Sequence, residues 1–494
     1  MWRPSPTIDT DVWLFRLAMF AILIAAIGLL AAPVFAAVWQ TSNSYNEGWN
    51  AYWSDVARHA GHLYPPQDSA ISNNYPPLSF YIVGGLSSVT GDPIFTERAL
   101  AFVSVLAVAI NISLWLRVTG SSLTVSAAGA CVWLAVLAGF APDYAATADP
   151  QLIAHAVMMT ALTLLWRKSW RPRDVVLACL LMITAGSIKH LLIALPVTVT
   201  IWLLWHSRRL AVLWFLTSIA VLAALAALAW RTYGPVFFQA LDSAREYHRY
   251  IAVLRTRQAL LYLWPVLLPI AIFLMPVFGR GKNVWALQSR QGFALLYLGV
   301  AAIVGAAVAG GEGVDHNAFF EFLIAATLCS MLAVEELWSI QWRNPKLATA
   351  MRVLPIALIA AVFSYREALS LPHDIEELKE QRELQAQTRE DIQFLAQLGT
   401  QHQVACELLA LCYWAGLPFT VDVFNYGEKL KRHEVPADAC ESLFITGPIT
   451  VLQRHSRDPS TVKSPRLPAR CNDLIYKSYR LIRTSGNGQI WLRR

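Results

Sequence analysis

The chain has 494 residues, of which 56% are hydrophobic and only 15% charged, and its mean hydropathy is positive. Water-soluble domains of this length do not normally have such a composition, so the sequence predicts a membrane protein. The net charge of +7 does not indicate nucleic-acid binding, because the Lys and Arg residues lie between apolar stretches rather than in one basic domain.

Apolar stretches of about 20 residues, the length that crosses a bilayer core of roughly 30 Å, recur as far as residue 371. The first stretch is too long for the core of a signal peptide and lacks a clear cleavage site, so we predict a retained anchor rather than a cleaved signal. The predicted fold is an all-α polytopic domain over 1–371 with about eleven spans. They lie near 12–38, 97–118, 121–141, 151–166, 174–189, 190–205, 210–230, 258–278, 291–310, 318–338 and 353–371.

The basic residues between these spans indicate the orientation. With a cytoplasmic N-terminus, every basic cluster between spans falls inside, as the positive-inside rule requires. The stretch 174–205, interrupted by Lys189 and His190, is either a re-entrant hairpin or two short helices. The sequence therefore predicts a bacterial inner-membrane protein with a periplasmic tail. Its outer segments are 39–97, 141–150, 231–257, 311–317 and the tail from residue 372.

The first outer segment contains two short helical patterns. The first, 47–62, is amphipathic, and its aromatic face suits the lipid headgroup layer. That face contains Trp49, Tyr52, Trp53 and Val56. The second, 78–89, is apolar but only about 12 residues long, which favours an interfacial helix over a span.

The tail, 372–494, is predicted to be a small extracytoplasmic α/β domain. A charged segment, 374–390, is patterned as a solvated helix, and a further helix is expected over 408–415. Period-two patterns predict strands at 403–407, 419–424, 442–445 and 489–492.

Four of the seven cysteines lie in the tail, and an even number in a small domain outside the cytoplasm suggests two disulfides. Three pairings are possible, and four unpaired or partly paired thiols remain an alternative. These residues are Cys406, Cys412, Cys440 and Cys471.

Four motifs on the predicted outer side carry a resemblance to a known family. They are YNEGWNAY at 45–52, GHLYP at 61–65, NYPPLSFY at 74–81 and DHNAFFE at 315–321. In their order and shared side they resemble the GT-C glycosyltransferases, a group that includes the lipid A aminoarabinose transferase and protein O-mannosyltransferases. The resemblance covers the membrane part through residue 371 and, more loosely, the tail.

The resemblance implies transfer of a sugar from a polyprenyl-phosphate carrier to an acceptor hydroxyl on a glycan, lipid or protein. Relatives place an acidic residue in the first outer loop, where many have an Asp-Glu pair. This chain has Asn46-Glu47, so only Glu47 can act as the general base. The alternative is an interfacial carboxylate that stabilises the start of its helix. On the same helix, Asn50 and Arg58 are candidate substrate contacts.

Other outer residues have the chemistry to bind the carrier phosphate. Lys189 is the first candidate, because an ionisable group inside an apolar stretch is a functional hypothesis by default. It would otherwise extend its amine to the membrane surface. Arg245 and Arg249 would clamp the phosphate with bidentate hydrogen bonds, or else form a solvated helix face.

Sugar contacts are expected from further outer residues. Tyr75 would stack on a sugar ring, although aromatic residues at a membrane interface are common. Asp143 and Asp149 would bind sugar hydroxyls or a divalent cation, the one optional cofactor, since two carboxylates are too few to predict a metal site. Candidate contacts in the last outer loop are Asp315, His316 and Asn317, which would otherwise form a polar turn.

Two other functions fit the sequence. A membrane transporter is disfavoured by the absence of detectable inverted repeats and of paired Gly- or Pro-broken helices. A catalytically silent relative that binds the lipid-linked sugar is compatible with Asn46 standing in place of an acid.

Overall fold

The structure is a computed structural model, which describes residues 6–168, 170–242, 246–280, 289–436, 438–455 and 466–494. Eleven of its helices form a bundle whose core is almost entirely apolar. In chain order the first five are α1 (Pro6–Ala36), α4 (Pro93–Val118), α5 (Leu123–Phe140), α6 (Gln151–Arg167) and α7 (Pro172–Ile188). The other six are α8 (Ala194–His206), α9 (Arg208–Tyr233), α11 (Arg249–Arg280), α12 (Arg290–Val308), α13 (Phe320–Ser339) and α14 (Pro345–Gly399).

Eight bundle helices in the described part of the chain are long and apolar enough to cross a bilayer. The other three, α6, α7 and α8, occupy predicted spans but have 17, 17 and 13 residues. The stretch 174–205 forms two separate helices, joined by residues 189–193. Helix α8 would be only about 20 Å long, which is shorter than the bilayer core, so the predicted span at 190–205 stays a prediction.

Two interfacial helices follow α1, as predicted: α2 (Tyr45–Arg58) and α3 (Leu78–Thr90). The aromatic face of α2 does not meet lipid headgroups, so that prediction is wrong. Trp49, Tyr52 and Trp53 are buried in a core shared with the C-terminal domain. A short helix, α10 (Pro235–Leu241), contributes Val236, Phe237 and Ala240 to the edge of the same core.

The C-terminal domain contains a four-stranded sheet in the order β1-β2-β4-β3. The strands are β1 (Gln403–Cys406), β2 (Ile449–Arg454), β3 (Tyr479–Ser485) and β4 (Gly488–Arg493), with only the β1–β2 pair parallel. The helices of the domain are α15 (Leu409–Trp414), α16 (Val423–Lys431) and α17 (Ala469–Ser478).

The predicted strands at 403–407 and 489–492 and the helix at 408–415 are confirmed. The predicted strands at 419–424 and 442–445 are wrong. Asp422 caps the N-terminus of α16 by accepting a hydrogen bond from Asn425 N, and Glu441–Ile445 is a single π-helical turn.

Both tail disulfides are present, and their pairing is Cys406 with Cys412 and Cys440 with Cys471. The prediction of two disulfides is therefore confirmed, and the structure selects one of the three possible pairings. The described chain also has three free thiols, all in the membrane bundle: Cys131, Cys179 and Cys329.

Helix α14 connects the bundle to the C-terminal domain without a break. Its 55 residues would measure about 80 Å, and they include both the last predicted span and the charged segment 374–390. The predicted domain boundary at residue 371 therefore lies inside a helix.

Four of the predicted outer segments and the tail gather at one end of the bundle. Trp49 donates a hydrogen bond to Asp422 of the tail, Glu312 N donates to the Glu246 carbonyl, and Asn50 donates to the Ala148 carbonyl. The first outer segment and the tail thus share one side of the membrane. The compartment on that side remains a prediction.

Candidate functional site

Glu47 lies in the first turn of α2 with no exposed surface. Arg98 clamps its carboxylate, with Nε 2.7 Å from Oε1 and Nη2 2.6 Å from Oε2. The backbone N–H groups of Asn43 and Ala148 donate to the same carboxylate at 2.8 and 3.1 Å. Both oxygens are therefore occupied by donors that belong to three separate segments of the chain.

These contacts do not support the prediction that Glu47 is the general base. A base must accept a proton from a substrate in a cavity, and Glu47 lines none of the four cavities found at this end of the bundle. Arg98, its partner, also donates to the carbonyls of Ala37, Trp39 and Thr41. These contacts tie the first outer segment to α4, and the catalytic role of Glu47 stays a prediction.

A second buried ion pair lies beside the first. Lys189, the residue after α7, places Nζ 3.4 Å from Asp149 Oδ2, and their side chains are 2% and 4% exposed. The same Nζ lies 3.8 Å from the centre of the Tyr75 ring. Gln151 N donates to the other oxygen of Asp149 at 2.8 Å. Three residues that the sequence singled out, from three separate parts of the chain, thus meet at one point.

Two cavities flank this ion pair. One, the apolar-walled cavity, has a volume of about 310 Å³ and is lined by Tyr75, Lys189, Asn317 and one face of α12. The other, the acidic cavity, has a volume of about 370 Å³. It is lined by Tyr75, Asp143, Asp149, Asp315 and residues of the C-terminal domain. Tyr75 lines both cavities, so the Lys189–Asp149 pair lies where they adjoin.

The α12 face of the apolar-walled cavity carries only small or aliphatic side chains. Its residues are Ala301, Val304, Gly305, Ala307 and Val308. On the other side Asn317 and Gln151 exchange two hydrogen bonds, both at 3.0 Å. A ligand in this cavity would meet Lys189 at one end and a hydrocarbon surface along one wall.

The C-terminal domain closes the acidic cavity. Asp422, fully buried, accepts hydrogen bonds from the Tyr45 hydroxyl and from Trp49 Nε1 at 3.1 Å, and burial raises the pKa of its carboxyl. Arg466 lines the cavity, lies 4.3 Å from the Tyr45 ring and pairs with Glu407 at 3.5 Å. The domain therefore contributes directly to the site.

The last outer loop contributes a charge pair at the edge of the acidic cavity. The His316 ring lies 2.9 Å from Asp315 Oδ1, and this hydrogen bond holds the pKa of Asp315 below its ordinary value. Asp315 lines the acidic cavity and Asn317 the apolar-walled cavity, whereas His316 lines neither.

Several predicted substrate contacts lie away from the cavities. Asn50 donates to the Ala148 carbonyl at 2.8 Å, Arg58 pairs with Asp55 at 2.7 Å, and Arg249 is exposed at the start of α11. The four cavities include none of these three residues, so their role as substrate contacts stays a prediction. Arg245 lies outside the described residues.

No cluster of three or more His, Cys, Asp or Glu side chains suited to a metal ion occurs among the residues that the structure describes. Asp143 and Asp149 both line the acidic cavity, but the structure adds no third protein ligand to them.

Sequence reasoning missed Arg98, Glu97, Asp422 and Arg466. Glu97 and Arg98 are adjacent charged residues at the start of the apolar helix α4, and charge at such a position was a signal available in the sequence. Both are buried, and Glu97 Oε2 has no hydrogen-bond partner in the described part of the chain. The two tail residues had no such signal, because their contacts with Tyr45 and Trp49 join positions that lie hundreds of residues apart in the chain.

Comparison with known proteins gives matches in structure only. No family model matches the chain, and no curated protein matches it significantly. The crystal structure of ArnT from Cupriavidus metallidurans in the apo state aligns over 99% of this chain and 98% of its own, with 11% identity and a TM-score of 0.53. The structure of the same protein bound to undecaprenyl phosphate aligns over 97% of each chain, with 13% identity and a TM-score of 0.54. The chain therefore has the ArnT fold over its whole length, which confirms the predicted GT-C-like architecture of a multi-pass membrane protein with a small C-terminal α/β domain.

Proposed function

We propose that this protein is a membrane glycosyltransferase that moves a sugar from a polyprenyl-phosphate carrier to an acceptor hydroxyl. The observation that carries the proposal is the buried Lys189–Asp149 pair between an apolar-walled cavity and an acidic cavity. The structure of ArnT bound to undecaprenyl phosphate, which has the same fold, supports a carrier of this class.

The carrier would occupy the apolar-walled cavity. Its phosphate would bind Lys189, since a buried ammonium group attracts a phosphate strongly where water is excluded. Its first isoprene units would lie along the small aliphatic side chains of α12. The Tyr75 ring, 3.8 Å from Nζ, would help to hold Lys189 in place.

The acceptor would enter from the acidic cavity, and we assign the role of general base to Asp149 instead of Glu47. When the phosphate binds Lys189, it competes with Asp149 for the ammonium group, which leaves Oδ2 available to accept a proton. Asp143 and Asp315 line the same cavity and would accept hydrogen bonds from sugar or acceptor hydroxyls.

The proposed reaction is a single displacement at the anomeric carbon. Asp149 takes the proton of the acceptor hydroxyl, the hydroxyl oxygen forms the new glycosidic bond, and the bond from the anomeric carbon to the phosphate oxygen breaks. The bonding electrons leave with the polyprenyl phosphate, whose added negative charge Lys189 stabilises. We further propose that this occurs at the periplasmic face of a bacterial inner membrane, consistent with the basic residues on the opposite side and the two disulfides.

Lipid that copurifies with the full-length protein tests whether Lys189 binds the polyprenyl-phosphate carrier. Extraction and mass spectrometry should find polyprenyl phosphate or its sugar adduct with the wild type, and about tenfold less or lower with Lys189→Ala, since a charged hydrogen bond contributes about 1.5–3 kcal/mol. Glu380→Gln, an exposed change on α14, is the control. A wild type without such lipid, or an unchanged amount in Lys189→Ala, would contradict the proposal.

The variant Asp149→Asn tests whether Asp149 is the general base. It should retain the carrier but fail to restore the envelope glycoconjugates of a strain from which the gene has been deleted. If the deletion strain has unaltered glycoconjugates, while carrier copurifies with the wild-type protein from a strain that produces it, the silent-binder alternative is favoured. Restoration by Asp149→Asn would show that another residue is the base.

A further inference from the structure

A third cavity, of about 280 Å³, lies beside the proposed active site between α1, α14 and the turn Pro142–Ala146. We call it the side cavity. Leu29, Ala32 and Pro33 of α1 line its apolar part. Its polar part is formed by the segment after α1 and by the middle of α14. None of the residues proposed to bind the carrier lines it.

The charge of the side cavity is uniformly negative. Asp143, Asp374 and Glu377 line it, and no Lys, Arg or His is among the lining residues that the structure describes. Partial burial, and after it the charge of Glu377, raises the pKa of Asp143. That rise is the expected effect of burial, to which the neighbouring negative charge of Glu377 adds. The side cavity therefore has the electrostatic character of a cation site.

Two polar groups of the cavity also lack partners. Thr41 lines the cavity and is only 1% exposed, yet its hydroxyl has no hydrogen-bond partner among the described residues. The side-chain oxygen of Gln381, also in the lining, is likewise buried and unpartnered. Buried polar atoms without partners are rare and unfavourable, so these two favour a ligand that donates hydrogen bonds.

The lining distinguishes between kinds of cation. The described residues contain no cluster suited to a metal ion. No Phe, Tyr or Trp lines the cavity, whereas sites for quaternary ammonium groups are aromatic cages. Carboxylates and unpartnered oxygens instead match the three N–H donors of a primary ammonium group, and the α1 wall suits the carbon atoms attached to it.

The position of the side cavity indicates which kind of molecule carries the primary ammonium group. Next to Asp374 and Glu377, α14 exposes the apolar side chains of Leu371 and Ile375, which are suited to lipid. The acidic lining therefore lies close to the level of the lipid headgroups. We propose that the side cavity binds the primary ammonium headgroup of a membrane lipid. This inference does not depend on the transferase activity.

The test uses the full-length protein in nanodiscs that contain phosphatidylethanolamine, phosphatidylcholine or phosphatidylglycerol, with bound lipid counted by native mass spectrometry. The wild type should retain phosphatidylethanolamine in preference to the other two. The double variant Asp374→Asn/Glu377→Gln should retain about tenfold less, the expected effect of losing charged hydrogen bonds.

Thr41→Val provides a second variant that should not disturb folding. Its hydroxyl has no partner among the described residues, so the melting temperature should stay unchanged while retention of phosphatidylethanolamine falls. Glu380→Gln removes the same kind of charge from the same helix outside the cavity and should retain the lipid as the wild type does.

Three results would overturn the proposal. The first is equal retention of phosphatidylcholine and phosphatidylethanolamine by the wild type. The second is unchanged phosphatidylethanolamine retention in both the double variant and Thr41→Val. The third is a competition result in which an excess of putrescine or Mg²⁺ releases bound phosphatidylethanolamine from the wild type and from Glu380→Gln, but not from the double variant. The side cavity would then be a site for a soluble cation.

Discussion

The two buried ion pairs have different surroundings. For this reason we propose a structural role for one pair and a catalytic role for the other. Glu47 and Arg98 are enclosed by backbone groups that use their remaining hydrogen-bonding capacity. Lys189 and Asp149 each line a cavity. A buried pair of the first kind is costly to break, whereas a pair of the second kind can exchange partners with a ligand.

Glu47→Gln should lower the free energy of unfolding by about 3–5 kcal/mol, because it leaves the Arg98 charge buried without a counter-charge. Thermal unfolding in detergent measures the effect. Glu97→Gln is the matched control, since Glu97 is buried nearby with one unpartnered oxygen, and it should unfold near the wild-type temperature or above it. If Glu47→Gln instead unfolds like the wild type and abolishes glycosyl transfer, Glu47 is the base after all.

At the residue scale, sequence reasoning located much of the site, although we propose a different carboxylate as the general base. Lys189 was identifiable because a charge in an apolar stretch is conspicuous, and Tyr75, Asp143 and Asp149 because they lie in short outer segments. The partner of Glu47 could not be found in this way. Arg98 is 51 positions away, and only the folded bundle brings the two side chains together.

At the scale of single elements, the packing of α2 explains its composition. Its aromatic residues pack against the C-terminal domain, and Gly48 allows the backbones of α2 and α15 to approach closely. A Cβ at Gly48 would lie 2.0 Å from Ala410 N. Amphipathicity predicted the helix correctly but gave no information on whether lipid or protein covers its aromatic face.

Gly48→Ala should therefore force α2 and α15 apart and lower the stability of the protein by about 1–3 kcal/mol, the usual cost of overpacking. Gly85→Ala on α3 is the control, because nothing lies within 4 Å of a Cβ built there, and alanine favours a helix. Thermal unfolding of both variants gives the comparison. Equal melting temperatures would contradict the close packing of α2 on α15.

Residue patterns in the tail did not predict all of its strands correctly. The segment 419–424 has strand-like residue types, yet Asp422 begins a helix there and receives hydrogen bonds from α2. Strand β2 lies at the centre of the sheet, between β1 and β4, and was missed. This strand lies between two others and its side chains are buried almost without alternation, so a period-two pattern does not identify it.

At the scale of the whole molecule, the structure is one continuous arrangement of bundle and C-terminal domain, connected by α14 and by the contacts of α2. The order of spans and the grouping of the outer segments were predictable, because hydropathy and basic residues constrain them strongly. The contribution of Arg466 to the acidic cavity was not, since it depends on how two folded units pack.

The disulfides provide a test at this scale. Replacing Cys440 and Cys471 by serine should destabilise the C-terminal domain by about 4 kcal/mol. Replacing Cys406 and Cys412 by serine should destabilise it by about 2 kcal/mol. The first effect is larger because the Cys440–Cys471 bond closes the longer loop and so restricts the unfolded chain more. The two bonds span 31 and 6 residues. Urea unfolding of the purified variants measures both values. A larger effect from the shorter loop would contradict this explanation.

The most direct test of the central claim is an experimental structure of the protein with undecaprenyl phosphate. We expect a phosphate oxygen within about 3 Å of Lys189 Nζ, the first isoprene units along Ala301, Val304 and Val308, and Asp149 facing the acidic cavity. A phosphate bound elsewhere, with the Lys189–Asp149 pair unchanged and the apolar-walled cavity empty, would contradict the account.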